Sequence, residues 1–159
     1  ALKLGNIYGA RERWLDGPKD APYNYQKIIP TILMDVMDGK NFKIYGNGEQ
    51  KSEYIYVDDV VEAFIRAILS EKNLGGEIIH VGCGNSNSVN EIVDACEKVW
   101  NRSIPREYVE MRPGEVHFLA YLDPKPMKKL LNYELQWNLE EGLVETIKYY
   151  EKMHARYKN

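Results

Sequence analysis

Tyr45-Gly46-Asn47-Gly48-Glu49-Gln50-Lys51-Ser52-Glu53-Tyr54-Ile55-Tyr56-Val57-Asp58-Asp59-Val60 sets a turn, a strand and a helix start side by side. Gly46-Asn47-Gly48 supplies residue types that tolerate the positive-φ backbone of a tight turn. Residues 53 to 57, centred on the β-branched and aromatic Tyr54-Ile55-Tyr56-Val57, predict a strand, and Asp58 or Asp59 can cap the amides of a following helix. That helix, from Asp58 to Leu69, would carry Val60, Val61, Phe64, Ile65 and Ile68 on one buried face.

Outward from this stretch the pattern keeps alternating. Leu2-Lys3-Leu4 reads as a strand that opens the chain abruptly, which suggests a cut, and residues 10 to 25 are a long loop rich in charge and turn formers. Ile28, Ile29, Ile32, Leu33, Val36 and Met37 recur at helical spacing, predicting a helix over 26 to 38 that Gly39 ends. Phe42 to Tyr45 is a short strand, Gly75-Gly76 closes the helix before Glu77 to Val81, and Ser88 with Glu91 forms a capping box for a helix reaching Trp100. Glu107 to Met111 is a further strand. Asp123 opens a short helix to Leu131, and Asn138 a long one whose buried side carries Leu139, Leu143, Ile147 and Tyr150. Short strands with several helices make the fold class α/β, in one domain spanning residues 1–159.

Composition narrows the function. At 159 residues the chain can bury roughly two thirds of the surface its unfolded form exposes. A formal charge of −3 argues against a nucleic-acid partner, because such domains carry a basic excess for phosphates. No apolar run approaches the length of a membrane span. Cys83 and Cys96 lack disulfide or zinc spacing, so a reducing, cytoplasmic setting is expected. His80, His117 and His154 show no metal-ligand spacing, and no metal is expected.

The order of the Tyr45–Val60 stretch resembles the segment leading into the substrate side of the extended short-chain dehydrogenases, the NAD-dependent epimerases and dehydratases of nucleotide sugars. The resemblance implies that this chain is their C-terminal, nucleotide-sugar-binding part, attached to a Rossmann-type half. It implies that NAD is bound by that N-terminal half, which also supplies a Tyr-x-x-x-Lys catalytic pair, so that no catalytic residue is expected within this chain. Hydride would leave C4 of the sugar for NAD and return after rotation or dehydration. It also implies a homodimer for the complete protein, and no turnover or NAD binding by this chain alone.

Residue by residue, the resemblance places a nucleotide-diphosphate sugar against eight positions. Asn6, in Gly5-Asn6-Ile7-Tyr8-Gly9, would donate its amide to the ligand at a strand end where glycine allows close approach. Lys27 and the backbone of Ile28, in Gln26-Lys27-Ile28-Ile29-Pro30, would meet the diphosphate at a helix start. Lys43-Ile44-Tyr45 would line the base pocket with backbone and aromatic ring. Ser52 stands where relatives commonly carry an arginine that forks onto the diphosphate. A hydroxyl cannot replace a bidentate cation, so Lys51 compensates, the charge sits elsewhere, or the chemistry has changed. Arg112, in Arg112-Pro113-Gly114-Glu115, would clamp the diphosphate, and Glu115 would face a ribose or sugar hydroxyl.

Two other classes fit parts of the sequence. The strand running into Gly82-Cys83-Gly84, with Glu110 ending the next strand, resembles the S-adenosylmethionine loop of a methyltransferase. A binding module without a catalytic half is the other alternative.

Overall fold

The computed structural model describes residues 1–12, 27–113 and 119–157. Strands β1 (Leu2–Leu4) and β2 (Asn6–Tyr8) come first, then helix α1 (Ile28–Met37) and strands β3 (Phe42–Tyr45), β4 (Lys51–Ser52) and β5 (Tyr54–Tyr56). Helix α2 (Val57–Ile68), β6 (Ile79–Val81), β7 (Asn87–Ser88) and α3 (Val89–Trp100) follow. The chain continues through β8 (Arg106–Val109), β9 (Leu119–Ala120), α4 (Lys125–Leu131) and α5 (Leu139–Tyr157).

The expected α/β class holds, with pairing that is mostly parallel and long-range. β1 pairs with β6, β2 with β5 and β3 with β8, all parallel. β4 lies between β7, antiparallel, and β9, parallel. Two-residue strands carry no periodicity of their own, so β4, β7 and β9 are absent from the sequence reading.

Two cores organise these elements. The larger gathers Ile29, Ile32 and Leu33 of α1, Phe42 and Ile44 of β3, Ile92, Val93 and Cys96 of α3, and Leu143, Ile147 and Tyr150 of α5. Two of its three helices, α3 and α5, carry reciprocal caps. Ser88 Oγ accepts from Glu91 N while Glu91 Oε2 accepts from Ser88 N, and Asn138 and Glu141 repeat the arrangement at the start of α5. Each cap offsets amides that the first turn leaves without an intrahelical partner. The smaller core holds Ile55, Val60, Ala63, Ile79, Val81, Met127, Leu131 and Tyr133.

Several expectations need correction, and Gly5 and Gly9 carry a packing constraint of their own. A Cβ on Gly5 would lie 2.7 Å from Glu53 Oε2, and one on Gly9 2.6 Å from Val57 Cγ1. Asn6 starts a strand instead of ending one, because β2 pairs with β5 immediately after the Gly5 break. Neither Asp58 nor Asp59 caps α2, whose N-cap is Tyr56 with no side-chain hydrogen bond.

Asp59 instead points into the protein, fully buried. Its Oδ1 accepts from Tyr133 Oη at 2.6 Å and from Gln136 N at 2.8 Å, and its Oδ2 from Trp137 N at 3.2 Å. Burial together with this carboxylate pushes the Tyr133 hydroxyl well above the usual tyrosine range.

The face expected to bury α2 is also displaced. The helix buries Asp59, Val60 and Ala63, whereas Val61, Phe64, Ile65 and Ile68 form an outer stripe, with Ile68 77% exposed. At 3.6 residues per turn the two lines are separated by roughly 140°.

Candidate functional site

The sequence-predicted residues fall into groups set by the strand ends. β3 and β8 run parallel with Tyr45 opposite Val109, so Tyr45 and the segment following β8 emerge at one end of the pair. There the Arg112 guanidinium lies 3.7 Å above the Tyr45 ring centroid. Gly46 N donates to Val109 O at 2.8 Å, and the positive φ of 73° at Gly46 turns the chain away. A Cβ at Gly46 would strike Met111, so glycine is needed there for both reasons. Exposed Arg112 and half-buried Tyr45 thus form one surface in which a planar cation covers an aromatic face. Lys43 points outward on the same strand, 4.0 Å from Glu107.

The second group surrounds the start of α1. Lys27 is the N-cap residue, extended at φ −70° and ψ 138°, and its carbonyl accepts from Thr31 N and Thr31 Oγ1. Ile28 opens the helix, the first turn carries no acidic residue, and Lys27 is exposed. The positive end of the helix dipole and the ammonium thus act in the same direction on an anion.

Glu12 lies within electrostatic reach of Lys27 and was not singled out by the sequence. Its Oε2 is buried without a hydrogen-bond partner among the described residues, and burial pushes the carboxyl up to about 7 against the pull of Lys27. Tyr150 Oη donates to the Glu12 carbonyl, fixing the turn that Arg11 makes at φ 67°. Tyr54, whose hydroxyl is pushed up to about 12 by burial and by Glu12, is the register partner of Asn6. Asn6 itself is exposed.

A carboxyl titrating near 7 in the folded chain but near 4.5 when unfolded weakens the fold as pH rises between those values. Glu12→Gln is therefore expected to raise the melting temperature at pH 8 and leave it unchanged at pH 5. An equal shift at both values would assign the effect to packing.

Ser52 sits on the short strand between β7 and β9, opposite Asn87 and Ala120. Its neighbour Lys51, the candidate substitute cation, lies 3.6 Å from Glu91 Oε1, so that carboxylate competes with any anion for it. Glu115 lies outside the described residues.

The next residue, Glu53, was also missed. It is 2% exposed, and Oε1 accepts from Cys83 N at 2.5 Å and Gly84 N at 3.0 Å, while Oε2 accepts from Leu122 N at 3.1 Å. The signal in the sequence was an acid standing directly before a strand of apolar and aromatic residues. This arrangement bears on the methyltransferase alternative. The amides of Cys83 and Gly84, which a cofactor loop would present to its ligand, already serve a protein carboxylate. Burial pushes the Cys83 thiol up to about 11, away from nucleophile character.

No Gly-x-x-Gly-x-x-Gly run occurs in the sequence. The spacing Tyr-x-x-x-Lys does occur twice, at Tyr23/Lys27 and Tyr121/Lys125, so the expectation that the chain holds no catalytic pair does not rest on that pattern being absent. Tyr23 lies outside the described residues. Tyr121 precedes the helix that Lys125 begins, so these two do not share a helical turn. Among the described residues no group of three His, Cys, Asp or Glu is placed to hold a metal, and no helix is long and apolar enough to cross a membrane.

The profile of the NAD dependent epimerase/dehydratase family matches residues 1–82. A UDP-glucuronate 4-epimerase of Thermodesulfobacterium geofontis is 34% identical over 132 residues, covering 82% of this chain and 39% of the relative. A dTDP-glucose 4,6-dehydratase of Xanthomonas campestris is 32% identical over 141 residues, covering 81% and 39%. Among solved structures, the UDP-glucose 4-epimerase of Thermotoga maritima with UDP-glucose superposes with a TM-score of 0.80 at 29% identity, over 96% of this chain and 46% of that one. The chain spans less than half the length of these relatives.

Proposed function

Because the chain belongs to the NAD dependent epimerase/dehydratase family, we propose that it binds a nucleoside-diphosphate sugar, as the substrate side of an epimerase or 4,6-dehydratase. The observation that carries this reading is the Arg112 guanidinium on the Tyr45 ring. A guanidinium stacked on an aromatic ring offers a base its outer plane and a diphosphate a bidentate donor. Lys27, with the Ile28 amide at the start of α1, adds positive potential. Asn6 supplies an amide and Lys43 flanks the base side. Glu115 is assigned to a ribose or sugar hydroxyl, as the resemblance implies.

NAD, the group that would accept and return hydride, is assigned to a part of the protein outside residues 1–159. The support is the absence of a glycine fingerprint and the use of the Cys83 and Gly84 amides by Glu53. The work left to this chain is to bind and orient. Homodimer formation by the complete protein belongs to the same proposal.

Arg112→Ala is expected to weaken UDP or dTDP binding by about 10- to 100-fold, the range of one or two hydrogen bonds to a charged group. Tyr45→Ala removes a stacking contact worth ~1–3 kcal/mol. Ser52→Arg is expected to tighten binding by restoring a fork that serine lacks. Isothermal titration checks all three. Undiminished nucleotide affinity in both alanine variants would remove Tyr45 and Arg112 from the site.

A further inference from the structure

The turn from Gly46 to Gln50 joins the strands that carry Tyr45 and Ser52. Two of its residues are glycines at positive φ, 73° at Gly46 and 77° at Gly48, the residue type with the most backbone freedom to lose. β4 has only two residues, too short a strand to fix the far end by itself. Within the turn, Glu49 N donates to Asn47 Oδ1 at 3.1 Å, and Gln50 Nε2 donates to the Tyr45 carbonyl at 3.0 Å.

Further support arrives from α3. Asn90 lies in the first turn of that helix, where a backbone amide has no intrahelical acceptor, and it donates instead to Gly48 O at 3.1 Å. Its Nδ2 donates to Asn47 O at 2.9 Å and to Glu49 Oε1 at 2.7 Å, and its Oδ1 accepts from Tyr108 Oη of β8 at 3.1 Å. A Cβ on Gly48 would strike the Asn90 carboxamide, so the turn and the helix lie in direct contact. β8 also leads to Arg112, so Tyr108 ties this junction to the strand behind the Tyr45–Arg112 stack.

We propose that Asn90, braced by Tyr108, is a positioning residue that sets the distance between the base subsite at Tyr45 and the diphosphate subsite at Ser52. The inference rests on the nucleoside-diphosphate reading above. The polar atoms of Asn90 are committed to the turn and to Tyr108, so its part is to hold the turn and not to contact the ligand. Joining two weakly bound groups in one ligand raises affinity only as far as the protein holds their subsites at the matching separation. With Asn90 in place that separation is set before binding. Without it the glycine turn is ordered only as the ligand binds, and that loss of entropy opposes binding.

The test compares a whole ligand with its parts. The complete gene product, as wild type, Asn90→Ala and Tyr108→Phe, is titrated with UDP-glucose and dTDP-glucose, and separately with pyrophosphate, uridine and thymidine. Asn90→Ala is expected to weaken the tighter nucleotide sugar by about tenfold while pyrophosphate and the matching nucleoside stay within about twofold of wild type. Tyr108 is exposed, and its hydroxyl is hydrogen-bonded to Asn90 alone among the described residues. Tyr108→Phe is therefore expected to melt with the wild type and to show the same pattern at about threefold, the lower range of one hydrogen bond. Should Asn90→Ala fail to fold, Tyr108→Phe decides. An equal loss for the whole ligand and for its parts would mean that the subsites themselves are damaged, and would overturn the proposal. Unchanged nucleotide-sugar binding in the variants would overturn it as well. Either result leaves the ligand reading standing, whereas a wild type that binds neither nucleotide sugar would remove both.

Discussion

Asp59→Ala is expected to destabilise the fold by on the order of 4 kcal/mol, because it leaves the Tyr133 hydroxyl and the Gln136 and Trp137 amides without their shared acceptor. In a chain of this size that corresponds to a fall in melting temperature of about 10 °C or more. The segment from Tyr133 to Trp137 joins α4 to α5, and Trp137 in turn packs on Tyr56 with ring centroids 4.6 Å apart. Loss of the carboxylate therefore loosens the entry to α5, whose buried side closes the larger core. Asp58→Ala, next in sequence but exposed, is the control and should cost less than about 0.5 kcal/mol. Equal melting temperatures for the two variants would contradict this role for Asp59.

Glu53→Ala has the second large expected effect, about 3 kcal/mol, since it leaves the amides of Cys83, Gly84 and Leu122 unmatched around a buried void. Three segments meet at this one side chain: the start of β5, the turn after β6 and the approach to α4. The crowding at Gly5 and Gly82, where an added Cβ would lie 2.7 and 2.9 Å from its carboxylate oxygens, shows how closely the backbone is drawn in. Glu53→Gln should lie between wild type and alanine, because one oxygen remains while its amide group opposes a donor. Denaturant unfolding of the pair checks the order, and a glutamine variant as stable as wild type would show that the charge is dispensable.

The parts of the fold legible in the sequence are those with local causes. The Phe42–Tyr45 strand, the Ser88/Glu91 box and the Leu143, Ile147 and Tyr150 stripe arise from alternation, cap chemistry and helical spacing within a few residues. What escaped depends on partners far away along the chain. Asp59 has the chemistry of a helix cap, and only the return of residues 133 to 137 makes it a core acceptor instead. The outer stripe of α2 has the same pattern as a buried face, because hydrophobic spacing does not record which of two apolar lines on one helix turns inward.

The site divides in the same way. Arg112 and Tyr45 lie in separate sequence motifs, and their stacking follows from the parallel β3–β8 register, which neither segment encodes alone. Lys51 looked available to replace the arginine missing at Ser52, until the fold set it beside Glu91. Glu12 left no mark in the sequence, since its setting depends on Tyr150, far along the chain, whose hydroxyl donates to its carbonyl, and on the charge of Lys27.

The most direct test of the central claim is a ligand panel read by thermal shift on the complete gene product: UDP-glucose, dTDP-glucose, GDP-mannose and S-adenosylmethionine, each with wild type and Arg112→Ala. A ligand present at 100 times its dissociation constant stabilises a single-site protein by about 2.7 kcal/mol, ample for detection. The account predicts that at least one nucleotide sugar raises the wild-type melting temperature, that Arg112→Ala loses most of that shift, and that S-adenosylmethionine has no effect. A shift with S-adenosylmethionine and none with any nucleotide sugar would contradict it.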